Sequence, residues 1–253
     1  MRKVPQLTVY FWIIKVLTTA MGEATSDYLV HRFPPVLAVG LGAIALAVSL
    51  VLQFAARRYV PWIYWLAVVM VAVFGTMAAD VLHIQFGIPY FVSTAFFAVV
   101  LAVVFVAWNS VERTLSIHSI NTPRREAFYW AAVLAAFALG TAAGDLTAVS
   151  LHLGYFWSGV MFAGLFALPA LAYWLLRLNA ILAFWIAYVL TRPVGASFAD
   201  WTDKPRPLGL NYGNWAVSLV LTVVIVALVA YLSVTHSDVD SGEVDAQSVA
   251  VRG

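Results

Sequence analysis

The sequence predicts an all-α, polytopic membrane protein with eight transmembrane helices, arranged as four two-helix repeats that all point the same way. Three observations support this fold class. Of the 253 residues, 63% are hydrophobic and 10% are charged, whereas soluble domains have about 45–50% and about 25%. The apolar residues fall into eight long stretches, and one short motif occurs in every second stretch.

The eight apolar stretches predict the eight helices, because a helix needs about 20 residues to cross a bilayer. They are residues 7–28, 35–56, 61–83, 90–109, 127–146, 155–176, 179–200 and 212–233. Clusters of proline, glycine and charged residues separate them, such as HRFPP, ARRYVP, FGIP and DKPRPLG. Such clusters end helices.

We expect one transmembrane domain over residues 1–235, with repeats at about 8–58, 61–120, 126–178 and 179–235. Polar residues follow the first stretch in place of a cleavage site, so it is expected to be retained as a span. Residues 236–253 are polar and acidic, which predicts a disordered tail. The chain has no cysteine, which excludes disulfides and thiolate metal sites. It also has no basic stripe of the kind that binds nucleic acid, so the lipid bilayer is the expected partner.

The distribution of lysine and arginine predicts the orientation, because cytoplasmic loops carry an excess of both. With the N-terminus inside, the inner segments hold nine basic residues and the outer loops hold three. The inner ones are Arg2, Lys3, Arg57, Arg58, Arg113, Arg124, Arg125, Arg177 and Arg252, and the outer ones are Arg32, Lys204 and Arg206. Both termini, including the acidic tail, are therefore expected in the cytoplasm.

The repeated motif is a glycine followed five residues later by an aspartate, with a tryptophan fifteen residues before that aspartate. It appears as GEATSD, GTMAAD, GTAAGD and GASFAD. Its members are Trp12, Gly22 and Asp27; Trp65, Gly75 and Asp80; Trp130, Gly140 and Asp145; and Trp185, Gly195 and Asp200. Four of the eight aspartates satisfy both spacings, so chance is a poor explanation.

The repeat spacing predicts how the units are arranged. The aspartates are 53, 65 and 55 residues apart, which is one helix pair per unit. Since two crossings return the chain to its starting side, all four units point the same way. The aspartates then lie toward the outer side, and the tryptophans lie at the cytoplasmic interface, where indole rings are favoured. We interpret the glycines as close helix contacts.

This organisation resembles a family of bacterial membrane proteins built from four tandem repeats, each with two transmembrane segments and a characteristic tryptophan. The resemblance covers about residues 8–235 and includes the blocks YFWIIKVLTT, GTAAGD and TRPVGASFADW. It implies an eight-helix protein of the bacterial inner membrane. The family is a repeat of unknown function, so the resemblance implies no activity.

The aspartates are the candidate functional residues, because a carboxylate within a membrane span is costly and usually faces the interior of the bundle. Oxygen-bearing side chains stand four residues earlier in three repeats, namely Glu23, Thr76 and Thr141, whereas the fourth has Ala196. Residues four apart share a helix face, and His83 lies three beyond Asp80. Hard cations prefer oxygen ligands, so this set predicts a site for a small cation or proton. The alternative is that each aspartate caps a neighbouring helix or loop.

Two basic residues fall inside the predicted spans. Lys15 is interpreted as a paired or snorkelling lysine in preference to a Schiff-base lysine. Arg192 precedes Pro193, eight residues before Asp200, and is expected to pair with an acidic group.

Three functional classes follow from these residues. The first is a transporter or channel for small cations, divalent or proton-coupled, through a ring of repeat aspartates. The second is a non-transport protein that acts as partner or regulator of another membrane complex. An enzyme is disfavoured because no nucleophile elbow, zinc motif or phosphate-binding loop occurs. No cofactor is expected, and the identity of any metal, the direction of transport and the oligomeric state stay open.

Overall fold

The computed structural model describes residues 3–239, which form eight long α-helices. They are α1 Val9–Arg32, α2 Pro35–Ala55, α3 Pro61–Asp80, α4 Tyr90–Glu112, α5 Pro123–Asp145, α6 Gly154–Leu176, α7 Ala180–Asp203 and α8 Asn214–Thr235. Single turns of π-helix, Val81–Gln85 and Leu146–Ser150, continue α3 and α5, and a short 3₁₀ helix, Ile117–Ser119, precedes α5. All eight predicted stretches are helices, and α1 continues one turn further than expected.

Local sequence signals fix the helix ends. Proline occupies the first turn of α2, α3 and α5, where its missing N–H costs nothing. The side chains of Thr8, Thr122 and Asn179 cap the first turns of α1, α5 and α7. These caps satisfy backbone N–H groups that have no partner within the helix.

The odd-numbered helices form a closed inner ring. Helix α1 packs against α3, α3 against α5, α5 against α7, and α7 against α1. Each even-numbered helix lies outside this ring and packs on the next odd-numbered helix, so that α2 covers α3, α4 covers α5, α6 covers α7 and α8 covers α1. This arrangement follows the four repeats.

Burial differs sharply between the two layers. In α3, α5 and α7, 56–67% of the apolar stretch that could cross a membrane is buried inside the protein, against 17–22% in α2, α4, α6 and α8. The exposed residues of the outer helices are mostly apolar, as in the run of Val36, Leu37, Leu41 and Ile44. A surface of this kind is suited to lipid.

Among the described residues, seven helices are long and apolar enough to cross a membrane. Helix α1 is the exception, because Lys15, Glu23 and Asp27 lower its hydropathy. All three side chains are buried inside the ring, so the polarity of α1 faces the interior.

The four motif glycines lie where neighbouring inner helices touch, as the sequence predicted. A Cβ at Gly195 would lie 1.9 Å from the hydroxyl oxygen of Thr19. A Cβ at Gly22 would lie 2.4 Å from the Cβ of Ala72. The four contacts follow the ring in order, and they are Gly22 with Ala72, Gly75 with Phe137, Gly140 with Arg192, and Gly195 with Thr19. Each glycine therefore allows one inner helix to approach the next.

The motif tryptophans are covered by other parts of the protein, and their interfacial depth stays a prediction. Trp65, Trp130 and Trp185 are buried, while Trp12 is partly buried. The indole of Trp185 donates a hydrogen bond to the carbonyl of Leu115 at 2.9 Å. They pack with other rings inside the bundle because the loops and the adjacent aromatic residues cover them.

The two ends of the described chain meet at the tryptophan end of the ring. The N–H of Gln6 donates to the carbonyl of Asp238 at 3.0 Å, and the phenol of Tyr59 donates to the Asp238 carboxylate. Asp238 is 1% exposed, and burial raises the pKa of its carboxyl above the usual range. Asp238 is thus packed against Tyr59, while His236 and Ser237 are exposed. The rest of the predicted tail, 240–253, lies outside the described residues.

Candidate functional site

Five sets of equivalent residues, spaced four apart on the inner helices, line the axis of the ring. From the tryptophan end they are the aromatic level, Phe11, Tyr64, Tyr129 and Phe184; the lysine level, Lys15, Val68, Val133 and Tyr188; the arginine level, Thr19, Ala72, Phe137 and Arg192; the oxygen level, Glu23, Thr76, Thr141 and Ala196; and the aspartate level, Asp27, Asp80, Asp145 and Asp200. No residue of the first four levels is more than 6% exposed. A spacing of four keeps residues on one helix face, so each inner helix presents one stripe to the axis.

The aromatic level closes the axis at the tryptophan end. The hydroxyls of Tyr64 and Tyr129 share a hydrogen bond of 2.6 Å, and the rings of Phe11 and Phe184 lie 6.4 Å apart between centroids. Four large side chains meeting in this way leave the axis filled.

Lys15 lies on the axis with no hydrogen-bond partner among the described residues. Its side chain is fully buried, and its ammonium nitrogen lies 3.9 Å from the centroid of the Phe137 ring and 4.2 Å from that of Tyr188. The guanidinium carbon of Arg192 lies 5.6 Å from the same Phe137 ring. Lys15 was interpreted as paired or snorkelling, and in the structure its ammonium contacts two aromatic faces.

Arg192 connects all four inner helices. Its guanidinium donates to the carbonyl of Thr19 at 2.8 Å, to the hydroxyl of Thr141 at 2.8 Å, and to Glu23 and Thr76. Its side chain is 1% exposed and that of Glu23 is 5% exposed. The predicted pairing of Arg192 with an acidic group is confirmed.

Three side chains of the oxygen level therefore converge on the guanidinium of Arg192. Glu23, Thr76 and Thr141 were predicted to complete a site for a cation with the aspartates, and the cation that they contact is Arg192. Ala196, the small member of this level, lies on the same helix one turn after Arg192. The oxygen level thus holds the ring together with a resident cation.

The aspartate level lies beyond Arg192 and contains a second resident cation. The ammonium of Lys204, the residue that follows α7, contacts the carboxylate of Asp27 and lies 3.3 Å from that of Asp200. Burial lowers the pKa of Lys204, but Asp200 and Asp27 raise it by more, so the pKa lies above its usual value. Lys204 is therefore an ammonium ion here.

Asp203 joins this end of the ring, although the sequence did not single it out. One carboxylate oxygen each from Asp27, Asp200 and Asp203 lie within 4.8 Å of one another. Asp203 is 2% exposed, and neither of its oxygens accepts a hydrogen bond from a described residue. Its position one turn after Asp200 was the available signal.

Asp80 and Asp145 lie at equivalent places, each directly before a turn of π-helix. Both are partly buried, and Asp80 lies within electrostatic range of Glu23, Asp145 and Asp27. Neither side chain caps the π-helical turn that follows it. Over residues 3–239, no backbone N–H donates to the carboxylate of any of the four repeat aspartates, so the capping interpretation gains no support.

His83 does not join the aspartates. Its ring stacks on Tyr90 with centroids 3.5 Å apart, and its Nδ1 lies 2.8 Å from the carbonyl oxygen of Ile88. The turn of π-helix after Asp80 carries His83 toward α4 instead of along the face of α3. The structure therefore brings Glu23, Thr76 and Thr141 together around Arg192, and Asp27 and Asp200 together around Lys204. Asp80 and Asp145 pair with neither cation, and the described contacts of His83 lie elsewhere.

The fold and this site define a membrane-type helical protein with four internal repeats and a polar, filled axis. A family model described as Repeat of Unknown Function (DUF347) matches residues 10–59, 63–114, 128–179 and 183–238. The chain belongs to this family, which confirms the resemblance to a family of four tandem repeats of unknown function. No curated protein and no solved structure matches the chain.

Proposed function

We propose that the protein is a transporter of small cations that crosses the bacterial inner membrane eight times and binds its cation at the aspartate level. The observation that carries this proposal is the convergence of acidic side chains at one end of the ring. One carboxylate oxygen each from Asp27, Asp200 and Asp203 lie within 4.8 Å of one another, and neither carboxylate oxygen of Asp203 has a hydrogen-bond partner among the described residues. Acidic groups within a membrane span are costly and are typical of ion pathways.

Several contacts support eight crossings with parallel repeats. Equivalent residues of different repeats meet, as Tyr64 meets Tyr129 and as Glu23 meets Thr76, which is expected when all units have the same orientation. The hydrogen bond from Gln6 to Asp238 brings both ends of the described chain to one side, as an even number of crossings requires. The excess of basic residues on that side favours cytoplasmic termini.

A filled axis favours a transporter over an open channel. The first four levels contain no residue that is more than 6% exposed, and Arg192 occupies the centre with hydrogen bonds to three neighbouring helices. Passage along the axis therefore requires a second conformation in which Arg192 releases at least one helix, and a ligand selects that conformation by binding it more tightly.

The second candidate, a partner of another membrane complex, is supported by an apolar groove of about 960 Å³ on the outside of the ring. Its walls come from α1, α6 and α7 and include Trp12, Phe166 and Trp174. Such a groove is suited to a helix or lipid from outside the protein.

The test is flux into proteoliposomes of Mn²⁺, Mg²⁺, Na⁺ and H⁺, each measured separately. We compare the wild type with Asp80→Asn and Asp145→Asn, which keep the side-chain size and remove the charge. The control is Glu112→Gln, because Glu112 pairs with Arg124 and Arg125 at the end of α4, away from the aspartate level.

We expect a wild-type flux of at least one cation, a loss of at least tenfold in the two aspartate variants, and no loss in Glu112→Gln. Absence of flux for every cation in folded wild-type protein would refute transport and favour the partner function. Unchanged flux in both folded aspartate variants would refute the aspartate pathway.

A further inference from the structure

Three buried carboxylates and one ammonium form a compact group where α7 ends. Asp27 comes from α1, and Asp200 and Asp203 come from the last turn of α7. One oxygen of each lies within 4.8 Å of the others, and the three residues are 6%, 3% and 2% exposed. Three carboxylates on two helices that touch each other make a defined set of oxygen ligands.

Asp203 is the member of this group that the protein leaves unsatisfied. Both its carboxylate oxygens are buried and lack a hydrogen-bond partner among the described residues. One oxygen of Asp200 also lacks a hydrogen bond, but it has an ion pair with Lys204 at 3.3 Å. A buried carboxylate is costly without hydrogen bonds or a counter-ion. Its oxygens point to a ligand that the three aspartates share.

Lys204 reaches into this group from a segment that is tied to α7. The N–H groups of Leu210 and Asn211 donate to the carbonyls of Trp201 at 2.8 Å and of Lys204 at 3.0 Å. The backbone of Lys204 is thereby fixed, while its side chain is 24% exposed. A lysine side chain has four flexible carbons and a compact charge, so the ammonium can move toward solvent without unfolding the segment.

The charge and the ligand type of the three carboxylates indicate which ion suits them. When ionised, the three carboxylates carry three negative charges, one of which the ammonium of Lys204 offsets while it is in place. After Lys204 has moved away, a divalent ion offsets two of the three charges. An all-carboxylate set without histidine or cysteine suits a hard ion such as Mn²⁺, Mg²⁺ or Ca²⁺.

We propose that Asp27, Asp200 and Asp203 form a binding site for a hard divalent cation, and that Lys204 is a tethered counter-ion which the cation must displace. This inference rests on the proposed transport function, for which it names the substrate class and the residue that sets the affinity. Lys204 stabilises the empty site and weakens cation binding, so that a bound ion can also leave.

The experiment measures binding of Mn²⁺ to purified full-length protein in detergent by electron paramagnetic resonance, which distinguishes free from bound Mn²⁺ and requires no transport. The variants are Lys204→Met and the double variant Lys204→Met/Asp203→Asn. The matched control is Arg206→Met, because Arg206 is an exposed cation of the same segment. Lys204→Arg tests a variant that keeps the charge.

We expect Lys204→Met to bind one Mn²⁺ at least tenfold more tightly than the wild type, and we expect the double variant to lose that gain. The Mn²⁺ affinity of Lys204→Arg should stay within about twofold of the wild type, because the charge is kept. That of Arg206→Met should also stay within about twofold, because an exposed charge is screened by salt. Equal gains in Lys204→Met and Arg206→Met would overturn the proposal, since the effect would then be general electrostatics. No gain in folded Lys204→Met would also overturn it.

The proposed binding site and the proposed transport function can be refuted independently of each other. Tighter binding in Lys204→Met without flux in any variant would keep the site and refute transport. Flux of a cation together with unchanged binding in Lys204→Met would keep transport and refute the role of Lys204.

Discussion

Replacing Arg192 with methionine is expected to destabilise the protein more than removal of any other single charge on the axis. Methionine keeps much of the volume of the side chain but removes the guanidinium. The carboxylate of Glu23 would then lie 4% exposed with one remaining contact, the hydroxyl of Thr76 at 3.3 Å. An uncompensated charge of this kind costs about 3–5 kcal/mol.

The other partners of Arg192 add little to this cost. The hydroxyls of Thr76 and Thr141 each keep a hydrogen bond to their own helix, to the carbonyls of Ala72 and Phe137. The carbonyl of Thr19 lies within α1, where the helical hydrogen bond remains available to it. The expected loss for Arg192→Met is therefore about 3–5 kcal/mol, and it comes from Glu23.

The assay is a double-mutant cycle on the free energy of unfolding in mixed micelles, with Arg192→Met, Glu23→Gln and the double variant. Because the double variant leaves no charge unpaired, we expect it to be more stable than Arg192→Met alone, with a coupling energy of at least about 2 kcal/mol. The control is Arg124→Met, since its side chain is 67% exposed in its pair with Glu112 and such pairs contribute about 0–1 kcal/mol. Additive losses in the cycle, or equal losses in Arg192→Met and Arg124→Met, would refute the reasoning.

Three further outcomes follow from the described contacts. Lys15→Met should raise the free energy of unfolding by about 1–3 kcal/mol, because it removes a buried cation without hydrogen bonds; a loss of stability would contradict this. Gly195→Ala should cost about 1–3 kcal/mol, because its Cβ would lie 1.9 Å from the hydroxyl of Thr19, whereas the control Gly164→Ala has nothing within 4 Å; equal melting temperatures would contradict this. The raised pKa of Asp238 means that the folded state holds the proton longer than the unfolded state, so stability should fall as pH rises from about 4. Asp238→Asn should remove this part of the pH profile of the melting temperature, and an unchanged profile would contradict it.

Much of the fold could be predicted because its signals are local and periodic. The length of each apolar stretch predicts a helix, and proline marks three of the helix starts. The fourfold spacing of tryptophan, glycine and aspartate predicted four equivalent units. The glycine contacts also followed from the sequence, because a glycine at one place in four repeats indicates that the neighbouring helix is close.

Contacts between distant parts of the chain could not be predicted in the same way. Trp185 was expected near the cytoplasmic interface, and its cover by the loop that carries Leu115 has no local signal. His83 was assigned to the aspartates by its spacing from Asp80 on an ideal helix, and the turn of π-helix changes its direction. Asp203 and Lys204 lie in the fourth repeat but have no equivalent aspartate or lysine in the other three, so a search for repeated residues could not find them.

The site depends on the ways in which the four repeats differ. If all four repeats had the same residue at a given level, four identical side chains would meet on the axis. Four carboxylates at the oxygen level, for example, would repel one another. The chain instead has Glu23 in one repeat, Thr76 and Thr141 in two others, and Arg192 one turn before Ala196 in the last. One buried cation then meets one buried anion, and the two hydroxyls accept further hydrogen bonds from the guanidinium.

The aspartate level keeps its acidic residue in all four repeats, so the same repulsion is retained there. Lys204 offsets it for Asp27 and Asp200, while no described side chain forms a hydrogen bond or ion pair with Asp80 or Asp145. Because a buried pair can be exchanged for neutral groups at little cost, stability alone does not explain these two unpaired carboxylates. They are the side chains whose charge the flux experiment removes, so that experiment tests directly whether this level binds the proposed cation.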